Sequence, residues 1–294
     1  MIEFEGSTDV IIRSFKAGIG KGGRKISDEE WQAYKSSLLY TINSILASPH
    51  VRHIYVVTNA EPGSKLAELP DDDGSTPTTR LITDTFSSEK VTPVACNNWG
   101  LNPGSCAAIN KVIEVISHWN NLPHWLLVLS KEMLINPFVI SEMIRTSDRY
   151  HLKVCGCYRQ NHWEYYQWSV AQNTVCLWEY QTLAEFSGFD TRCDGRQDET
   201  IEIESRQIQI AGMDDFHLML RIQAKYGLDW RWGMVCNSNP LIWDLSRKSF
   251  AEMEQHLIKV RRQAKIMEIY VSEIFPELDF RTVMNLFFSR RVSV

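Results

Sequence analysis

The chain has 294 residues, 44% of them hydrophobic and 23% charged, which suits one large or two small soluble α/β domains. Its net charge of −5 argues against a general nucleic-acid binder, because no basic excess is available to neutralise phosphates. No apolar run approaches about 18 residues and no basic-then-apolar leader opens the sequence, so a cytosolic location is expected.

Asp9 to Phe15 reads as a first strand. The loop after it contains Gly18-Ile-Gly20-Lys-Gly-Gly23, a match to the dinucleotide-binding spacing. That reading fails on its neighbours. The next strand, His53–Thr58, ends in Asn59 and not in an acid that could hold a ribose, and the helix starts late, at a capping box of Ser27 and Glu30. The loop is then either a mobile connection or a basic flap whose Lys16, Lys21, Arg24 and Lys25 could close over phosphates. The helix after Ser27 places Trp31, Tyr34, Leu38, Ile42 and Ile45 on one face and stops before Pro49. Strand, helix and strand at this spacing make a βαβ unit.

Residues 60–79, with several prolines and the run Asp71-Asp72-Asp73, read as an exposed loop. Val91–Cys96 is a third strand. The Asn/Gly-rich segment Asn97–Ser105 then leads into a helix with Cys106, Ile109, Ile113, Ile116 and Trp119 on one face; free N–H groups at such a start suit a phosphate or sugar hydroxyl. Trp125–Leu129 is a continuous apolar run, as expected of a central strand covered on both sides. It ends in Ser130, Lys131 and Glu132, before a helix opened by Asn136 as N-cap and Pro137, with Phe138, Val139, Met143 and Ile144 at helical spacing. Open α/β sheets place their ligands at such carboxyl strand ends.

His151–Cys157 is a further strand, and its Cys155 and Cys157 share a face; of the seven cysteines none form a CxxC pair, so reduced core thiols are the expectation. The aromatic segment Asn161–Trp168 suits either core or a sugar platform. A strand at Thr174–Tyr180 and a short helix ending at Gly188 lead to a polar, irregular stretch, 191–210. Next, Asp214 and Asp215 open a helix that carries Leu218, Ile222 and Tyr226 inward to Gly227; first-turn acids are usually dipole complements. Leu228–Val235 is read as the last strand. A long helix over 248–273 carries Met253, Leu257, Val260, Ile266 and Tyr270, with Lys259, Arg261, Arg262 and Lys265 suited to a partner, a second copy of the chain or an anionic membrane surface, or simply to solvent.

Taken in order over residues 8–236, these pieces resemble the GT-A fold of nucleotide-sugar-dependent glycosyltransferases, in particular the inverting family 2. The resemblance implies an α/β, Rossmann-like, mostly parallel mixed sheet flanked by helices, with a nucleotide-binding half (1–120), an acceptor half (121–240) and a C-terminal helical extension (241–294). The end of the first strand, at Ser14 and Phe15, would meet the base of a UDP- or GDP-sugar. Asn98, Gly100, Gly104 and Asn110 look like the family's Asn/Gly loop and helix Asn, and Asn59 stands where an acid usually follows the second strand. Ser130-Lys131-Glu132 falls where the family keeps its Asp-x-Asp metal motif, with Glu132 the one remaining carboxylate. The Gly188-Phe-Asp190 element looks like the border of the acceptor, and Asp214-Asp215 like the acidic pair whose second member is the general base.

The chemistry fits this arrangement. A departing nucleoside diphosphate gathers negative charge that Mg²⁺, Mn²⁺ or fixed cations must oppose. Glu132 alone with waters could hold Mg²⁺, but Lys131 and the flap lysines could take its place, so weak or absent metal dependence is expected. The acceptor, a glycan, a lipid-linked sugar or a small molecule, loses a proton from a hydroxyl of high pKa, which Asp215, or second Asp214, would take. The competing readings are a sugar-1-phosphate nucleotidyltransferase, which the 16–25 loop half fits, and a catalytically degenerate GT-A domain that binds a nucleotide or glycan.

Overall fold

The computed structural model describes residues 6–14, 27–58, 76–96, 106–130, 135–157, 159–160, 171, 173, 175–194, 199–203, 205–227, 229–235, 241–242 and 250–293. The chain runs β1 (Thr8–Arg13), α1 (Asp28–Leu46), β2 (Val51–Thr58), α2 (Pro77–Thr85), β3 (Val91–Ala95), α3 (Cys106–Ser117), β4 (Trp125–Ser130) and α4 (Pro137–Tyr150). It continues through β5 (Val154–Cys157), β6 (Arg159–Gln160), β7 (Val175–Glu179), α5 (Tyr180–Glu185), a 3-10 turn (Thr191–Asp194), and the hairpin β8 (Thr200–Ile203) and β9 (Arg206–Gln209). Then follow α6 (Asp214–Tyr226), β10 (Trp232–Val235), β11 (Leu241–Ile242), α7 (Phe250–Ile274), α8 (Phe280–Phe288) and β12 (Arg291–Ser293).

Eight strands form one sheet in the order β12-β10-β5-β7-β4-β1-β2-β3. All neighbours are parallel except β7, which runs antiparallel between β4 and β5. The apolar run of β4 predicts a strand covered on both faces, and both β4 and its neighbour β1 sit that way. Val10, Ile12, Leu127 and Leu129 pack with Leu38, Ile42, Ile82 and Ile140 of α1, α2 and α4, whereas Ile11, Leu126 and Val128 pack with the helices α3, α6, α7 and α8. The architecture is α/β and Rossmann-like, a mostly parallel mixed sheet between two helical layers. Because β2 and β4 flank β1, the chain reverses its winding there, and the carboxyl ends of β1 and β4 border the crevice that such a reversal opens.

Local signals behave as their chemistry requires. Ser27 accepts from Glu30 N at 3.2 Å while the Glu30 carboxylate accepts from Ser27 N at 2.9 Å, the reciprocal capping box of α1. Asn136 Oδ1 accepts from Phe138 N at 2.9 Å, with Pro137 in the first helical position of α4. Cys155 and Cys157 are buried free thiols in the same core cluster.

Several expectations are corrected. The loop read over 60–79 ends in a helix, α2, whose Thr76 cap and Pro77 are a helix start and not loop punctuation. Trp119 lies beyond the end of α3 and is 44% exposed, its ring resting against His53 at 5.4 Å. Phe138 is 56% exposed, since the buried stripe of α4 is centred on Val139, Ile140, Met143 and Ile144. The stretch 191–210 holds the β8–β9 hairpin, turned at Ser205 with φ 62°. Val235 does not end the sheet, because β12 pairs parallel to β10, Trp232 opposite Arg291. The C-terminal segment is also part of the main core, with Ile266, Tyr270, Val283 and Phe287 fully buried in it. Among the described residues no helix is long and apolar enough to cross a membrane.

At the other end of β1, Asp9 is fully buried, and Arg52 meets it with a two-point contact, Nε at 2.8 Å and Nη2 at 2.6 Å. Removing the guanidinium would strand a buried charge. Arg52→Met is expected to cost about 3 kcal/mol in urea unfolding, and a loss under about 1 kcal/mol would mean that water reaches the Asp9 carboxylate.

Candidate active site

β1 alternates between its two faces, and this sorts its last residues. Ser14 follows Val10 and Ile12 toward α1, where its hydroxyl is hydrogen-bonded to Tyr34, whose own hydroxyl lies 3.3 Å from Thr78 Oγ1. Arg13 follows Ile11 to the opposite face. There its Nη2 donates to the Asn173 carbonyl at 2.6 Å and reaches Ser130 Oγ, at the end of β4, at 3.4 Å.

Asn173, 2% exposed ahead of β7, is the hub of this edge. Its backbone N–H donates to Asp215 Oδ2 at 2.9 Å and its side-chain amide donates to Asp214 Oδ2 at 2.8 Å. Its Oδ1 accepts from Trp178 Nε1 at 2.9 Å. Asp215 Oδ1 accepts a second backbone bond, from Phe216 N at 2.8 Å. Both carboxylates are therefore oriented by N–H donors in the first turn of α6, where the helix dipole favours negative charge. Burial, with Asp215 and Asp214 adding their charge, pushes the nearby Cys176 thiol well above its ordinary pKa and keeps it neutral.

The entry to α6 is strained. Met213 adopts φ 61°, a left-handed conformation that costs an L-residue about 1 kcal/mol or more. Gly212 before it is clamped, its N–H donating to Cys193 O at 2.6 Å and its carbonyl accepting from Tyr270 of α7 at 3.0 Å. The chain thus holds the two acids at a fixed place against a backbone preference.

Asn110, read as a donor-binding residue, has its amide committed at both ends: Nδ2 donates to Phe189 O at 2.7 Å and Oδ1 accepts from Phe189 N at 2.8 Å. This clamp presses on Gly188, whose φ of 77° and closeness to Asn110 leave no room for a Cβ. It sets the position of Asp190. Burial opposes ionisation of Asp190, but its bonds from the Arg192 side chain and backbone outweigh that and bring its pKa to about 2. His217, 3% exposed on α6, lies 4.0 Å from Asp190, and burial pushes its pKa down to about 4.

The structure thus brings Ser130, Asp214 and Asp215 to one edge and leaves Ser14 on the other face of the sheet. Phe15, Asn59, Asn98, Gly100, Gly104, Lys131 and Glu132 lie outside the described residues. Sequence reasoning missed Arg13 and Asn173. A cation closing an otherwise apolar buried strand was a usable signal for Arg13; Asn173 had none. At the end of β4 the described donors do not suit a divalent cation, since Ser130 offers one neutral oxygen beside a guanidinium.

No protein-family model matches the chain. No curated protein matches it either. Among solved structures it is similar to S. aureus TarS 1-349 in complex with UDP, at 12% identity over 96% of this chain and 70% of that one, TM-score 0.47. TarS 1-349 without that ligand in its description gives 13% identity over 97% and 71%, TM-score 0.46. The 4-diphosphocytidyl-2C-methyl-D-erythritol synthase of Anaerococcus prevotii gives 10% identity over 88% and 98%, TM-score 0.42. At these values the likenesses carry no functional argument.

The buried histidines set a pH dependence. Unfolded His217 takes up a proton below its ordinary 6.5, whereas folded His217 resists until about 4, so stability falls as pH drops through that window. The loss amounts to up to about 3 kcal/mol. His53, also lowered by burial, acts in the same direction, while the stability from Asp190 is lost only as pH falls from 3.8 toward about 2. Urea midpoints measured from pH 7 to pH 4 should therefore decline, and His217→Asn should flatten part of that decline; an unchanged slope would count against burial of a neutral imidazole.

Proposed function

We propose that this chain is a glycosyltransferase that moves a sugar from a nucleoside-diphosphate sugar to an acceptor hydroxyl with inversion. One observation carries the reading: through Asn173, Arg13 ties the end of β4, at Ser130, to the acidic pair that opens α6. A cation and two oriented carboxylates then share the carboxyl edge of the sheet at its winding reversal, the place where α/β sheets bind ligands.

Asp215 is the general base. Its two N–H bonds hold the carboxylate in place, and it takes the acceptor proton as the hydroxyl attacks, because that proton is too tightly held to leave beforehand. Asp214, held by the Asn173 amide, is the second candidate. Attack from the face opposite the diphosphate inverts the anomeric carbon. On the leaving-group side, Arg13 beside Ser130 supplies a fixed positive charge where the resemblance would put a metal motif. Release of NDP on incubation with UDP- or GDP-sugar supports transfer, whereas pyrophosphate-dependent release of NTP would support the nucleotidyltransferase instead.

Asp215→Asn is expected to lose on the order of 100-fold or more in kcat with donor affinity retained; near wild-type turnover would remove Asp215 from the mechanism. Transfer should also persist in EDTA, and a rate abolished by EDTA and restored by Mn²⁺ would show that Arg13 does not stand in for a metal.

A further inference from the structure

One pair of cysteines is placed unlike the others. Cys106, the first residue of α3, is fully buried, and its Sγ donates to the backbone carbonyl of Asp190 at 3.2 Å. Cys193, 1% exposed in the 3-10 turn, donates its backbone N–H to that same carbonyl at 3.0 Å. A γ atom three residues after a carbonyl has a rotamer that turns back to it, the local bond that Ser and Thr make in helical turns. That rotamer brings the Cys193 sulfur to the oxygen that the Cys106 sulfur already holds. The junction is also fixed beforehand. Asn110, one turn after Cys106 on α3, clasps the backbone of Phe189 with both ends of its amide, so Phe189 and Asp190 are both held against that face of the helix. A disulfide tolerates Cα separations of only roughly 4.4–6.8 Å, so it forms where two elements are already pinned together.

The other described thiols lack this arrangement. Cys155 and Cys157 are neighbours along one strand, with their Cα atoms about 7 Å apart and their side chains parallel. Cys176 of β7 belongs to the core layer on the opposite side of the sheet from both. Burial pushes the Cys155 thiol up to about 12 and Cys176 well above its ordinary value, which keeps both protonated and inert. Cys96, just after β3, lies in the same core layer as Cys106 and Cys193 and is their natural competitor. The turn that carries Cys193 is a surface feature, since Thr191 and Arg192 beside it are exposed. A small oxidant has only that turn to pass.

We infer that Cys106 and Cys193 form a reversible disulfide that latches α3 to the turn ahead of α6. With hydrogen peroxide as the oxidant, one thiolate attacks the O–O bond, which gives a sulfenic acid and one water. The second thiol then displaces a second water as the S–S bond closes. The two thiols together lose two electrons and two protons, and one peroxide becomes two waters. Dithiothreitol reverses the link by thiol–disulfide exchange. Because the Cys193 carbonyl accepts from Gly212 N at 2.6 Å, the latch also tightens the entry to α6. None of this depends on the role proposed for Asp215. The test is to treat the full chain with peroxide, block the remaining thiols, digest without reductant and map the peptides by mass spectrometry. The peptides containing Cys106 and Cys193 should be joined, and dithiothreitol should separate them. The oxidised protein should have a higher urea midpoint than the reduced one, since the link closes a long loop in the unfolded chain. Cys193→Ser should lose both the link and the shift, whereas Cys155→Ser should keep both. Should Cys193→Ser fail to fold, the wild-type map and midpoint decide alone. A map that joins Cys106 to Cys96, that shows only sulfinic acid at Cys106 or Cys193, or that leaves both thiols unmodified would each overturn the inference. So would a linked protein whose urea midpoint is unchanged.

Discussion

Asn173 uses its backbone N–H, its carbonyl, its amide and its side-chain oxygen at once, on Asp215, Arg13, Asp214 and Trp178. These partners belong to β1, β7 and α6, so one buried residue sets how the sheet edge meets the helix that carries the acids. Two carboxylates and a guanidinium at a nearly water-free edge would be expensive to hold without such bonds. With all four groups engaged, the arrangement is stiff, as the proton-accepting role proposed for Asp215 would require.

The same edge explains why the C-terminal segment matters. Tyr270 of α7 bonds Gly212 just before the strained Met213, and Ile266, Met267 and Val271 bury themselves in the core layer that contains α6. Phe287 of α8 packs on Phe216, next in sequence to Asp215, with ring centroids 5.4 Å apart. Residues that look like an appendage in the sequence therefore support the site from behind.

Legibility differed sharply between elements. The caps at Ser27 and Asn136 and the apolar runs of β1, β2 and β4 could be read because each rests on residues within a few positions of one another. The helix α2 was overlooked although Thr76 and Pro77 announce it, because its surroundings are rich in turn residues. The β8–β9 hairpin escaped because its strands are short and largely exposed, so the alternation of apolar and polar residues is weak. β12 was invisible for another reason: three residues at an edge carry almost no pattern of their own.

What the amino-acid order determined by itself is the kind of element at most places, the α/β class, the first βαβ unit and the candidacy of Asp214, Asp215 and Ser130. What only the tertiary structure decided is company. Arg13 and Asn173 are 160 residues apart and meet because two strands end at one edge. Asn110 clasps the backbone of Phe189, 79 residues further along the chain. His217 acquired its lowered pKa only when α7 closed over α6. Periodicity and capping are short-range and leave a trace in the sequence, whereas burial and pairing between distant residues depend on packing that no local pattern records.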